Sequence, residues 1–96
     1  MKRHRVGKSG THIVAGKRAQ AMLDELQSRR VLHVRRRSFS TGEPEGDPFL
    51  IRYVHHPKWG LNSYQVEQGG KVKDKGRLMS NDDAWRWMHN LVQVPS

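Results

Sequence analysis

The apolar pattern changes period at residue 30, and that change limits the fold more than any other feature. Upstream, Ala15, Ala19, Met22, Leu23 and Leu26 recur at helical spacing and form one stripe of a helix over 13–30. Downstream, Leu32 and Val34 alternate with His33, Arg35 and Arg37, which predicts a strand over 31–39. A second strand follows at 49–55 (FLIRYVH), rich in aromatic and β-branched residues. Extended runs at 61–68 and 71–79 flank Gly69-Gly70, the signal of a two-residue hairpin turn. A second helix is predicted over 80–93, with Ser80 as N-cap, Asp83 three residues on, and Ala84, Trp85, Met88, Leu91 and Val92 as its apolar stripe.

The expected class is therefore α+β, in the order α-β-β-β(β)-α, with a small antiparallel sheet and helices packed on it. Residues 1–12 (MKRHRVGKSGTH) read as a flexible basic arm, and 13–96 as a single small α+β domain. Residues 40–48 (STGEPEGDP) read as a loop and 56–60 (HPKWG) as a turn. The core must be thin, because only 34% of the 96 residues are apolar, against about 45–50% in ordinary domains. No apolar run suits a membrane helix, and no apolar stretch follows the basic N-terminus as in a secretory signal. With no cysteine, disulfides, thiolate catalysis and Cys-bound zinc are excluded. A cytoplasmic location is the expectation.

Charge is distributed unevenly. Of the formal +9, the whole surplus lies in residues 1–37, where eleven Lys and Arg face only Asp24 and Glu25. Residues 38–96 hold seven of each sign. Such asymmetry points to a polyanionic partner. The planar fork of arginine suits phosphate, and neutralising phosphates releases counterions. The candidate nucleic-acid ligands are Lys2, Arg3, Arg5 and Lys8 on the arm, Arg29 and Arg30 at the end of the first helix, and Arg35 and Arg37 on the strand that follows. Arg29 and Arg30 are expected to enter the same region as that strand. Lys71, Lys73 and Lys75, at period two, form a second strip, with Arg52 on the preceding strand. Trp59, in a turn, is a candidate for stacking on a base or filling a partner's pocket, or for capping the core.

Other chemistry fits less well. Gly7-Lys8-Ser9 lacks the earlier glycine and the preceding strand of a phosphate loop, since Lys2 stands at the glycine position. The six histidines show no ligand spacing, and the adjacent His55 and His56 point to opposite faces of a strand. No metal and no cofactor is expected. His55, with Arg52, Tyr53 or Lys58 near it, is the one candidate general base.

Residues 64–87 carry a further pattern: Gly70-Lys71 at the hairpin turn, Ser80 before a helix, then Ala84 and Trp87. This segment resembles the end of the arm-type DNA-binding domains of phage tyrosine recombinases, and more loosely the likeness extends over 49–92. The resemblance implies a three-stranded sheet backed by one helix, with its exposed face in the major groove. By position, Lys71, Lys73, Lys75 and Arg52 would make the contacts. The first helix and the Arg-rich strand are extra to that pattern. The element order is also similar to double-stranded-RNA-binding domains, but Ser80-Asn81-Asp82-Asp83 stands where those carry lysines, which argues against their mode of binding.

The leading expectation is a non-enzymatic nucleic-acid-binding accessory protein of phage or mobile-element type, with DNA the expected partner. Two alternatives stand beside it. One is a small inhibitor or adaptor that engages an acidic or nucleic-acid-bound surface of a larger complex. The other is a small ribonuclease dependent on His55. Oligomeric state is left open.

Overall fold

The computed structural model describes residues 6–54 and 60–95, with side chains from residue 16 onward except Lys75. Helix α1 spans Val6–Arg29. Its backbone is helical through residues 6–12, which the sequence reading assigned to a flexible basic arm, so that boundary is corrected; residues 1–5 lie outside the described residues. Ala19, Met22, Leu23 and Leu26 form the buried stripe. The helix ends abruptly. Arg30 takes the left-handed conformation (φ 71°), and its N–H donates to Leu26 O at 2.8 Å. Strand β1 (Val31–Arg37) starts at the next residue with no intervening loop.

Four antiparallel strands run as a meander: β1, β2 (Pro44–Val54), β3 (Leu61–Gln68) and β4 (Lys71–Ser80). The β3–β4 turn is the predicted Gly69-Gly70 pair, with φ of 60° and 78°. Both positions lie where a side chain is strained and glycine is not. Helix α2 (Asn81–Met88) opens as expected, Ser80 Oγ accepting from Asp83 N at 3.2 Å. It then carries the chain from the β4 edge to the opposite edge, where β5 (Leu91–Gln93) pairs antiparallel with β1. The sheet order is β4-β3-β2-β1-β5. The α+β class holds, with one more strand than the sequence pattern indicates.

That strand corrects the helix expected over 80–93. Leu91 is buried, as its stripe position requires, but it reaches the core from a strand. Periodicity cannot distinguish the two, because a single apolar residue fits either face. The outer edge of β1 decides the matter. Arg37 N donates to Asn90 O at 2.8 Å and Val94 N donates to His33 O at 2.9 Å, satisfying an edge that would otherwise be open. Arg18 fixes the junction, its guanidinium donating to the backbone carbonyls of Leu91 and His89. Desolvation first, and then nearby Arg37, hold the Arg18 pKa below its ordinary value.

The 40–48 loop is also shorter than its composition indicates. Residues 44–48 belong to β2, with Pro44 at the strand's first position. Opposite Arg35 the ladder shifts register, resuming with Arg36 beside Glu45 and Arg37 beside Pro44. Both helices pack on one face of the sheet. Their stripe meets Leu32, Val34, Ile51, Tyr64 and Leu91, with Ala84 and Met88 from α2. A polar network crosses this layer. Tyr53 Oη donates to Asn62 (3.0 Å), and the amides of Asn62 and Gln27 both donate to Asn81 Oδ1 (2.9 and 3.1 Å). Burial pushes the Tyr64 phenol above its ordinary value.

Candidate functional site

Strand β1 acts as a ruler for the cations of the first third. Arg29 and Arg30 stand at its start and Arg36 and Arg37 at its end. Seven residues at about 3.3 Å each separate the two groups by roughly 20 Å. The expectation that they share one region is therefore corrected, because the strand between them is fully extended. Arg29 and Arg30 are exposed, with the Arg30 guanidinium 5.7 Å from the centre of the Tyr53 ring. Arg35 is half-buried, and its Nε donates to Gly46 O at 2.8 Å across the register shift. It stabilises the irregular ladder. Arg36 and Arg37 are exposed. Among the described residues, Arg29, Arg36 and Arg37 form no ion pair.

The arginines of the remainder of the chain behave differently. Arg52 Nε lies 2.6 Å from Glu67 Oε2, which also accepts from Gln65 Nε2 at 2.7 Å. These hydrogen bonds, Arg52's first and Gln65's second, hold the Glu67 carboxyl below the usual carboxylate range. The pair is therefore released at a lower pH than an ordinary carboxylate would allow. Arg77 pairs with Asp74 at 2.9 Å, and its guanidinium lies 4.9 Å from the centre of the Trp87 ring. Arg86 sits 3.5 Å from Asp83. Lys71 and Lys73 are exposed at the start of β4. Register shifts between Tyr64, Val66 and Glu67 interrupt the alternation that put Lys71, Lys73 and Lys75 on one face. The side chain of Lys75 lies outside the described residues.

Arg36 and Arg37 border a groove of about 590 Å³, lined also by Phe39, Phe49, Arg77 and Trp87. It lies on the helix side of the sheet, between the end of α2 and the β1–β2 turn. Asn90 and Leu91 contribute from the link into β5, and Glu45 is the acid on its wall. Phe39 is fully exposed, at 105% of its reference area. Its turn is nevertheless well tied. Ser38 N donates to Glu43 O (2.7 Å), Gly42 N to Ser38 O (2.9 Å), Thr41 N to Ser38 Oγ (3.3 Å) and Glu43 N to Thr41 Oγ1 (3.2 Å). An aromatic ring is thus presented to solvent on a fixed turn, beside two exposed guanidiniums. Trp87 is half-buried, with its ring 5.9 Å from that of Tyr64 at 79°.

Residue-level reading places Arg37 here but misses Arg36, Phe39, Arg77 and Trp87. Simple alternation sets Arg36 apart from Arg35 and Arg37, whereas the groove gathers Arg36 and Arg37 at the strand end. The signal that was present is Phe39 itself, a large apolar residue within a run of Arg and Ser. Lys2, Arg3, Arg5, His55, Lys58 and Trp59 lie outside the described residues, and Lys8 is described only as backbone of α1. Among the described residues, no helix is long and apolar enough to cross a membrane, and no cluster of three His, Asp or Glu could hold a metal. Comparison with protein-family models, with curated proteins and with solved structures found no match.

Proposed function

We propose that this chain is a non-enzymatic nucleic-acid-binding protein, with DNA the expected partner, which engages phosphates through its Arg-rich first third. One observation carries the reading. Arg29, Arg36 and Arg37 are exposed and form no ion pair among the described residues, in a chain whose later arginines are matched to carboxylates. Unmatched guanidiniums lose little on meeting a phosphate, because no existing pair must be broken. Arg30 adds a fourth cation beside Arg29. The spacing of about 20 Å between the two groups corresponds to roughly six nucleotide steps at 3.4 Å.

The accessory role, of the kind encoded by phages and mobile elements, rests on the recombinase-like segment. In that family's mode the sheet face would contact DNA. In this chain Arg52 on that face is already paired with Glu67, which favours the end of β1 as the principal contact instead. Binding to duplex DNA, single strands and duplex RNA, titrated with salt, tests the proposal. Four phosphate contacts predict a loss of about 100-fold in affinity between roughly 50 and 200 mM salt. Salt-independent affinity would defeat the phosphate mechanism. So would a stoichiometric protein partner that survives nuclease treatment while no nucleic acid is retained.

A further inference from the structure

We infer that the groove beside Arg36 and Arg37 seats an unpaired nucleotide, its base against Phe39 and its flanking phosphates on the two guanidiniums. This deepens the phosphate-binding proposal and rests on it. Three observations combine. The first is Phe39, fully exposed on a turn held by its own hydrogen bonds. With the backbone of the turn already held, covering the ring orders only its two side-chain torsions. The second is the wall formed by Arg77 on Trp87, a guanidinium over an indole at 4.9 Å. Bases stack on both aromatic rings and guanidinium planes. The third is size and charge. A space of about 590 Å³ lies within the range of roughly 300–1,000 Å³ typical of small-ligand sites. It carries Arg36 and Arg37 on its rim, against the single carboxylate of Glu45.

A duplex does not offer what this site would take. Its bases are stacked on one another, so their flat faces are hidden and only edges reach the grooves. A recess lined by aromatic rings and guanidinium planes meets base faces, which are free only in single strands, bulges, ends or flipped nucleotides. The inference is therefore a preference for unpaired segments at this end of β1. DNA and RNA single strands share that chemistry.

Phe39→Ala tests it cleanly, because a side chain exposed to this extent supports no packing. Fluorescently labelled oligo-dT and oligo-U of about 12 nucleotides, a usual site length for such proteins, are titrated beside a duplex of equal length. The 96-residue chain is expected to bind one of the single strands more tightly than the duplex, and the two strands report which sugar is preferred. F39A is expected to weaken single-strand binding about 10-fold and to leave duplex binding unchanged. F39W should restore the loss, whereas F39L, which keeps apolar bulk without a flat ring, should not. If F39A binds single strands as the parent does while salt-dependent binding persists, the stacking inference falls and the phosphate proposal stands. If the duplex is bound as tightly as either single strand, the inference falls in the same way. If no nucleic acid binds at low salt, both fall.

Discussion

The arginines on the two sides of residue 38 differ in their partners. Arg52, Arg77 and Arg86 lie 2.6, 2.9 and 3.5 Å from Glu67, Asp74 and Asp83, all close in the fold. Arg29, Arg36 and Arg37 form no such pair among the described residues. The difference follows from the sequence budget, since the first 37 residues hold two acids and the remainder holds as many acids as cations. What it teaches is that net charge alone does not locate a polyanion site. A paired arginine must first leave its carboxylate, whereas an unpaired one has only water to release.

The largest effect should come from removing the unpaired cations of the groove. Arg36→Gln with Arg37→Gln is expected to weaken binding about 30-fold near 0.15 M salt and to reduce the salt slope by about two. Fluorescence anisotropy across a salt series measures both. If Lys71→Gln with Lys73→Gln costs as much, the contrast between the two sides fails and the sheet face regains its claim. Next is Arg18→Met. Arg18 belongs to the first third, but it is committed to the carbonyls of His89 and Leu91. Losing charge-assisted hydrogen bonds of this kind is expected to destabilise the fold by about 2 kcal/mol. Urea denaturation should show the loss, while the salt slope of the folded variant stays unchanged. Smaller still is Glu67→Gln, which frees Arg52 and should tighten binding about 2-fold, in line with the weakness of exposed pairs. The Glu67 pKa is depressed, so its pairing is present above the ordinary carboxylate range and is lost only as pH falls through the lowered value. The E67Q effect should accordingly fade as pH falls through that lowered value and be constant near neutral pH, which a pH series of binding curves would reveal.

Much of the fold is legible from local chemistry. The α1 stripe, the Leu32–Val34 alternation, the Gly69-Gly70 turn and the Ser80 cap all depend on neighbours within a few residues. β5 is not legible in this way, since Leu91 suits a helix stripe and a strand equally, and only the open edge of β1 selects the strand. The site is less legible for the same reason. Whether Arg52 meets Glu67 depends on the register between β2 and β3, where Leu50 faces Glu67 and Arg52 faces Gln65. Arg77 meets Trp87 only because α2 crosses beneath the sheet. Arg36 is set aside by strict alternation, which says nothing of how a strand end opens into a groove.

Strand β5 has one more consequence, for folding kinetics. It joins β1 through the pairs Arg36–Leu91 and Val34–Gln93, contacts that are very distant along the chain. Closure of so long a loop is entropically slow, so the meander can form well before its β1 edge is covered. During that interval the uncovered edge is a template on which another copy could add a strand. Arg35, Arg36 and Arg37 line that edge with like charge, so two such intermediates repel one another. Arg36 and Arg37, the proposed phosphate ligands of this edge, would therefore also act earlier, as gatekeepers against aggregation. Replacing them with neutral residues would lower the yield of refolding at high protein concentration as well as the affinity of the folded chain.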